Sequence, residues 1–238
     1  MTITEVRDTT LARGRGLEAC THYQDVLATT TYPEFLQSMC GIYLWAYEHG
    51  VWDDALLADI PQADLNSFGI YTESVSITNP DQSDYAGCKD YLIQVEEGRD
   101  YGQQLFFFGT SEYTLTLDDT NDAEVFATAN TVGIINLYGN SKCNLHILDN
   151  AVVTVTMNDN SLLCIAGGNT ANLTVIANDN ATVDNTEFRG HAVVGYTGNG
   201  TSSANWVLYN YSHLDYAVAT TAQIKINSSG RATATEIV

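Results

Sequence analysis

From position 111 to position 200 the chain runs in short alternations of apolar and polar residues, and most of them close on Asn or Gly. Set in tens, the third and fifth places read Val153 and Val155, Leu163 and Ile165, Leu173 and Val175, with Leu145 and Ile147 a little offset. The first place is small (Ala151, Ser161, Ala171, Ala181), and the fourth and sixth are more polar (Asn144, His146, Thr154, Thr156, Thr174). The tenth place holds Asn130, Asn140, Asn150, Asn160 and Asn180, then Gly190 and Gly200, with Asn210 beyond. Thr120 and Thr170 interrupt it, each beside an asparagine. A period of two over about five residues predicts a strand. Asn and Gly tolerate the left-handed backbone that most residues avoid, so the tenth place predicts a corner.

A strand and a corner enclose no core, so two decads are expected to make one coil of about 20 residues, with coils stacked about 4.8 Å apart. The return of "NDN" at 158–160 as "NDN" at 178–180 then marks one circuit of a β-solenoid. Asn140, Asn160 and Asn180 would stand over one another and hydrogen-bond as a ladder. On this reading residues 101–210 are the solenoid, and 211–238 form a β cap whose hairpin turns at Ser228-Ser229-Gly230.

The first third has a helical period. In "TYPEFLQSMCGIYLWAYEHG", Thr31 is an N-cap with Glu34 as its capping-box partner and Pro33 in the first turn. Phe35, Leu36, Met39, Ile42, Tyr43 and Ala46 follow at helical spacing, and Gly50 is the stop. A helix near Leu17 to Ala28 precedes it, and another begins near Asp53. The aromatic residues Tyr43, Trp45, Tyr47 and Trp52 read as core. The expected fold class is therefore α+β: a flexible arm (1–16), a helical domain (17–69), a β-rich connector (70–100), the solenoid and its cap. "IYTESVSI", "DYLIQVEEG", "QQLFFFG" and "YTLTLDD" are the strand candidates where the period changes.

Charge narrows the partners. The 238 residues carry 29 acidic and 9 basic side chains, a net charge of −20, spread along the chain rather than gathered in a tail. Such a surface repels phosphates and anionic membranes, which excludes direct nucleic-acid binding, and no apolar run is long enough to span a bilayer. "MTITEVRDTTLARGRG" has no apolar core segment, so the expectation is synthesis in the cytoplasm without a signal peptide. The cysteines Cys20, Cys40, Cys88, Cys143 and Cys164 are odd in number and lack metal-site spacing, which predicts buried free thiols.

"NDNATV" and "LDNAVV" resemble the decapeptide repeats, with a core near D-N-A-T-V, of solenoid proteins from gut bacteria and their phages and prophages. "AGGNTANL" and "NTEFRGHAVVGYTGNG" depart from that pattern. The resemblance implies a phage or prophage origin and a structural or attachment role, one that can lie in the virion; the residues themselves lead to the expectation of no cofactor.

Catalytic arrangements are thin. Asp159 and Asp179 fall at one corner of adjacent coils, where two carboxyl groups can serve glycoside cleavage or simply make turns. His146 and Cys164 share an outward face without an orienting third group. Asp118, Asp119, Asp122 and Glu124 gather oxygen donors of the kind calcium takes, without an EF-hand pattern. Outward Thr-x-Thr pairs at Thr114/Thr116 and Thr154/Thr156 are interrupted by Ile134/Asn136 and Val194/Tyr196, too irregular for an ice-binding array.

The reading that follows is a non-enzymatic structural or attachment protein. Its helical domain and the arm's Arg7, Arg13 and Arg15 dock onto an assembly, as a homo-oligomer, while the solenoid projects towards a glycan or cell-surface ligand. Tyr196, Trp206, Tyr209 and Tyr211 are the contact candidates. Two alternatives stay open: an acidic DNA-mimicking intracellular inhibitor, and a glycan-binding or glycan-cleaving solenoid.

Overall fold

The computed structural model describes residues 1–15, 17, 23–80 and 103–237, and the chain divides into two compact units, Met1–Thr72 and a second that takes up at Glu73. The strand candidate "DYLIQVEEG", most of the expected connector and the start of the expected 17–28 helix lie outside the described residues.

The first unit is helical. Helix α1 spans Ile3–Gly14, where a flexible arm was expected. The Thr2 hydroxyl accepts from the Glu5 amide while the Glu5 carboxylate returns to Thr2, a capping box, and Val6 and Thr10 are buried one turn apart. Two of the arginines assigned to docking are engaged within the chain: Arg7 donates to the Thr29 carbonyl (3.0 Å), and Arg13 pairs with Asp53 (3.0 Å). Helix α2 is Tyr23–Ala28. The expected long helix is two short ones, α3 (Tyr32–Ser38) and α4 (Tyr43–Glu48), because Gly41 adopts φ +80° between them. Its caps are as expected: the Thr31–Glu34 box opens it and Gly50 stops it at φ +67°. Helix α5 (Asp54–Leu57) starts on the Asp53 carboxylate, and α6 (Gln62–Asn66) follows Pro61. Phe35, Tyr43 and Trp52 stack in the core, with ring centroids 5.9 and 5.4 Å apart. The free-thiol expectation fails at Cys40, which is disulfide-bonded; Cys143 and Cys164 are free. Strand β1 (Ile70–Tyr71) closes this unit.

The second unit is a parallel β-solenoid of about seven coils. Its strands are β2 (Val75–Thr78), β3 (Gln103–Phe107), β4 (Glu112–Leu117), β5 (Asp122–Ala127), β6 (Val132–Leu137), β7 (Lys142–Ile147), β8 (Val152–Met157) and β9 (Leu162–Gly167). They continue as β10 (Asn172–Ala177), β11 (Thr182–Phe188), β12 (Val193–Gly198), β13 (Ser203–Leu208), β14 (His213–Val218), β15 (Gln223–Ser228) and β16 (Thr233–Glu236). Even strands from β2 to β16 form one parallel sheet, and odd strands from β3 to β15 lie in the other. Thr154 stands beside Thr174 and Lys142 beside Leu162, so one circuit takes 20 residues.

In the decads before β11 four places face inward: the first, third, fifth and seventh, as in Ala151, Val153, Val155 and Met157. Large and small residues alternate between coils to fill the space. The Tyr113 ring occupies what a Cβ on Gly133 would take, and the Phe188 ring does the same at Gly167.

The left-handed residue of each corner is the ninth of the decad, one place earlier than expected. Asp119, Ala129, Gly139, Asp149, Asp159, Asn169 and Asp179 have φ between 54° and 64°. From Gly190 the tenth place takes over, at Gly190, Gly200, Asn210 and Gly230. The frame moves because β11 holds seven residues, with a bulge between Asp184 and Glu187. Thr182 therefore pairs with Leu162 behind it but with Ser203, 21 places on, ahead of it. The buried Thr186 hydroxyl repairs the interrupted ladder, donating to the Asn205 carbonyl (2.7 Å) and accepting from the Val207 amide (3.0 Å).

The expected hairpin cap is not formed. Strand β15 pairs in parallel with β13 and β16 with β14, so residues 211–237 continue the solenoid and Gly230 is another corner. The same corner chemistry that turns the earlier coils recurs there, and nothing reverses the chain.

Candidate functional site

The frame shift divides the four contact candidates. Tyr196 and Trp206 were expected outside but point inward, with 2% and 0% of their surface exposed, and their rings meet edge to face at 5.5 Å. One extra residue in β11 inverts which places face the core, so these two are packing residues.

Tyr209 and Tyr211 stand on the corner that follows β13, and the structure gives them neighbours that linear reading did not connect. The Arg189 guanidinium lies over the Tyr209 ring at 5.6 Å. Tyr211, 50% exposed, has the His191 ring on one side (4.9 Å, 7° between planes) and the Arg231 guanidinium at 5.5 Å. Each group comes from the same corner of a successive coil, so the 20- to 21-residue circuit stacks them into one stripe. Arg189 also pairs with Glu187. Arg231 has no carboxylate partner among the described residues.

Charge is not even along the solenoid. All but two of the 29 acidic residues precede Phe188; beyond it stand Asp215 and Glu236 against Arg189, Lys225 and Arg231. The aromatic stripe therefore sits in a stretch of the chain without an acidic excess, where a guanidinium beside tyrosine rings can meet an anionic or polar ligand with little competition.

The other corners serve the backbone. The Asp159 carboxylate accepts from the Gly139 amide (3.0 Å) and the Asp179 carboxylate from the Asp159 amide (3.3 Å), each one coil back. Carboxylates held by ladder amides are not poised as an acid and a base for glycoside cleavage. The asparagines stack as expected in kind. Asn180 donates to Asn160 (3.3 Å) and Asn150 to Asn130 (3.4 Å), while a three-rung ladder runs through Asn158, Asn178 and Asn199 at 3.1 and 2.9 Å. Asn130, Asn140, Asn150, Asn160 and Asn180 all lie in the corner turns, although the strained φ belongs to the residue before each.

The oxygen cluster does not converge. Glu124 is buried, accepting from Gln104 (2.6 Å) and lying 3.2 Å from His146 Nε2, while Asn121 Nδ2 donates to the Asp118 backbone carbonyl (2.9 Å). Among the described residues, no group of three or more His, Cys, Asp or Glu side chains is placed to hold a metal ion. His146 is stacked on Phe126 at 4.5 Å and makes no hydrogen bond to Cys164, although Glu124 supplies the orienting carboxylate that was not foreseen. Burial pushes the Cys164 thiol up, with the Asp184 carboxylate adding to it, so it is held as the poor nucleophile.

Compared with protein-family models, curated proteins and solved structures, the chain matches none of them.

Proposed function

We propose that the chain is a non-enzymatic, phage-type structural or attachment protein in which the helical unit docks onto a larger assembly and the solenoid presents a contact stripe. The observation that carries this reading is the corner where Arg189, His191, Tyr209, Tyr211 and Arg231 stand against one another on successive coils. The remaining corners support it from the other side. Their carboxylates hold the backbone of neighbouring coils and their amides bond to one another, which suits a stiff scaffold. Tyrosine and arginine in register on successive coils suit a polar, repeating ligand such as a bacterial surface glycan.

The test is binding of the full chain to intact bacterial cells and to immobilised surface polysaccharides, beside the Tyr209→Ala/Tyr211→Ala double variant. Saturable binding that weakens at least about tenfold in the variant, at an unchanged melting temperature, is the expected result. Equal binding by both proteins removes the stripe from the reading, and release of new reducing ends from the polysaccharide removes the non-enzymatic part.

A further inference from the structure

The even-strand sheet has an outward face unlike the rest of this acidic chain. Across β6, β8, β10 and β12 no outward position carries an ionisable side chain. Val132, Ile134, Val152 and Val193 stand there 46, 48, 41 and 43% exposed, between rows of threonine. The odd-strand sheet, by contrast, sets Asp122, Glu124, Lys142, Asp184, Glu187 and Lys225 on its strands. Exposed aliphatic side chains on neighbouring strands, with no charge among them, make a face like the inner face of a β-sandwich lacking its second layer.

We propose that this face packs against the same face of a second copy, the two solenoids running antiparallel about a two-fold axis between β8 and β10. Three observations select that occupant. First, two chains of charge −20 repel each other, and across β6, β8, β10 and β12 this face lets them meet without bringing like charges together. Second, the area suffices. Six strands from β4 to β14 at about 4.8 Å, each six residues long at about 3.3 Å, give a face of roughly 29 by 20 Å. Two such faces bury roughly 1,200 Å², the lower end of a standard specific interface. Third, the charges that remain lie at opposite ends of the face: Glu112 on β4, and His213 with Asp215 (2.8 Å apart) on β14. The antiparallel arrangement sets Glu112 of one copy at the level of His213, rather than of another carboxylate, on the other. A parallel one gathers both Glu112 side chains at one end and both Asp215 side chains at the other. A crystalline surface fits less well, because the Thr114/Thr116 and Thr154/Thr156 rows are broken by Ile134/Asn136 and by Gly195, whereas interdigitating sheets accept mixed sizes.

The proposal goes beyond the attachment reading and stands without it, since it rests on outward strand positions and not on the corner stripe. Light scattering on the full chain, over a wide concentration range and at two salt concentrations, tests it. The expected mass is twice that of the 25.9 kDa chain, with tighter association at higher salt as the mutual repulsion is screened. Val152→Lys and Ile134→Lys should each weaken association at least about tenfold at an unchanged melting temperature, while Asn144→Lys on the odd-strand sheet leaves it intact. Thr174→Lys, at an exposed position beside the axis, repeats the test should either aliphatic variant melt early. A spin label at Thr114→Cys, in a Cys164→Ser background, reads orientation: about 24 Å between labels, five strand spacings, for antiparallel solenoids, and much less for parallel ones. A chain that stays monomeric throughout, or a dimer indifferent to all three lysines, overturns the proposal. Short label distances overturn its antiparallel arrangement.

Discussion

At the scale of single residues, the decad assigns each place one physical task, and the tasks separate under mutation. Asp159 does two things: it adopts φ +58°, and its carboxylate accepts from the Gly139 amide. Glycine keeps the first without strain and loses the second, whereas alanine, which Ala129 shows can take the same φ, keeps the first only at a steric cost and also loses the second. Asp159→Ala should therefore destabilise by about 1–2 kcal/mol more than zero and by more than Asp159→Gly does, as denaturant midpoints will show. The first place obeys a different rule. Ser141 and Ser161 are buried and their hydroxyls make no hydrogen bond, while Ala151, Ala171 and Ala181 fill the same place in other decads. Ser161→Ala removes a desolvated hydroxyl without opening a cavity of any size, so the melting temperature should rise, by an amount equivalent to about 1 kcal/mol. Equal or lower stability would mean the hydroxyl is satisfied in solution.

At the scale of elements, the coil was legible and its defect was not. Period-two alternation with Asp, Asn or Gly every ten residues announces strand and corner because each obeys a local steric rule. The seventh place escaped notice since Met157, Gly167 and Ala177 differ too much in size to look like one row, although all three face inward. The bulge in β11 shows in the sequence only as Asp184-Asn185 inside a strand; a single extra place there changes only parity, and parity decided that Tyr196 and Trp206 are core rather than contact residues. Two signals were present and missed. Thr2 and Glu5 have the spacing of a capping box and mark α1, and Gly41 sits where the helical pattern needed a straight continuation. The corner stripe was legible only in part, because Arg189, His191, Tyr211 and Arg231 become neighbours through the circuit length alone. These assignments diverge under substitution. Trp206→Ala should cost about 3–5 kcal/mol and Tyr211→Ala less than about 1, read from urea midpoints at constant slope. Thr186→Val keeps the shape at the bulge but strands the Asn205 carbonyl and the Val207 amide, and should cost about 1–3 kcal/mol.

At the scale of the whole molecule, burial and charge act on opposite sides of neutral pH. Tyr113 and Cys143 lie inside the solenoid, and burial holds both well above their ordinary values of 10.0 and 9.0; Tyr43, inside the helical unit, is raised in the same way. The unfolded chain releases these protons near the ordinary values while the folded chain keeps them. Stability is therefore full below about pH 9 and falls as pH rises, by up to about 1.4 kcal/mol per pH unit for each group. Carboxylates act in the other direction. Hydrogen bonds from Thr2 and from Thr30 hold Glu5 and Glu34 below their ordinary 4.5, so the two capping boxes loosen as pH falls through the folded values. The relief of the −20 charge opposes that loss, which leaves the alkaline edge the steeper one. Tyr113→Phe isolates the cause, because the Tyr113 hydroxyl is buried without a hydrogen bond. The variant should melt higher at neutral pH and lose stability with one proton less in the alkaline slope, both read from melting temperatures against pH. An alkaline slope identical to that of the parent chain would place the titration elsewhere and show that the phenol reaches water in the folded state.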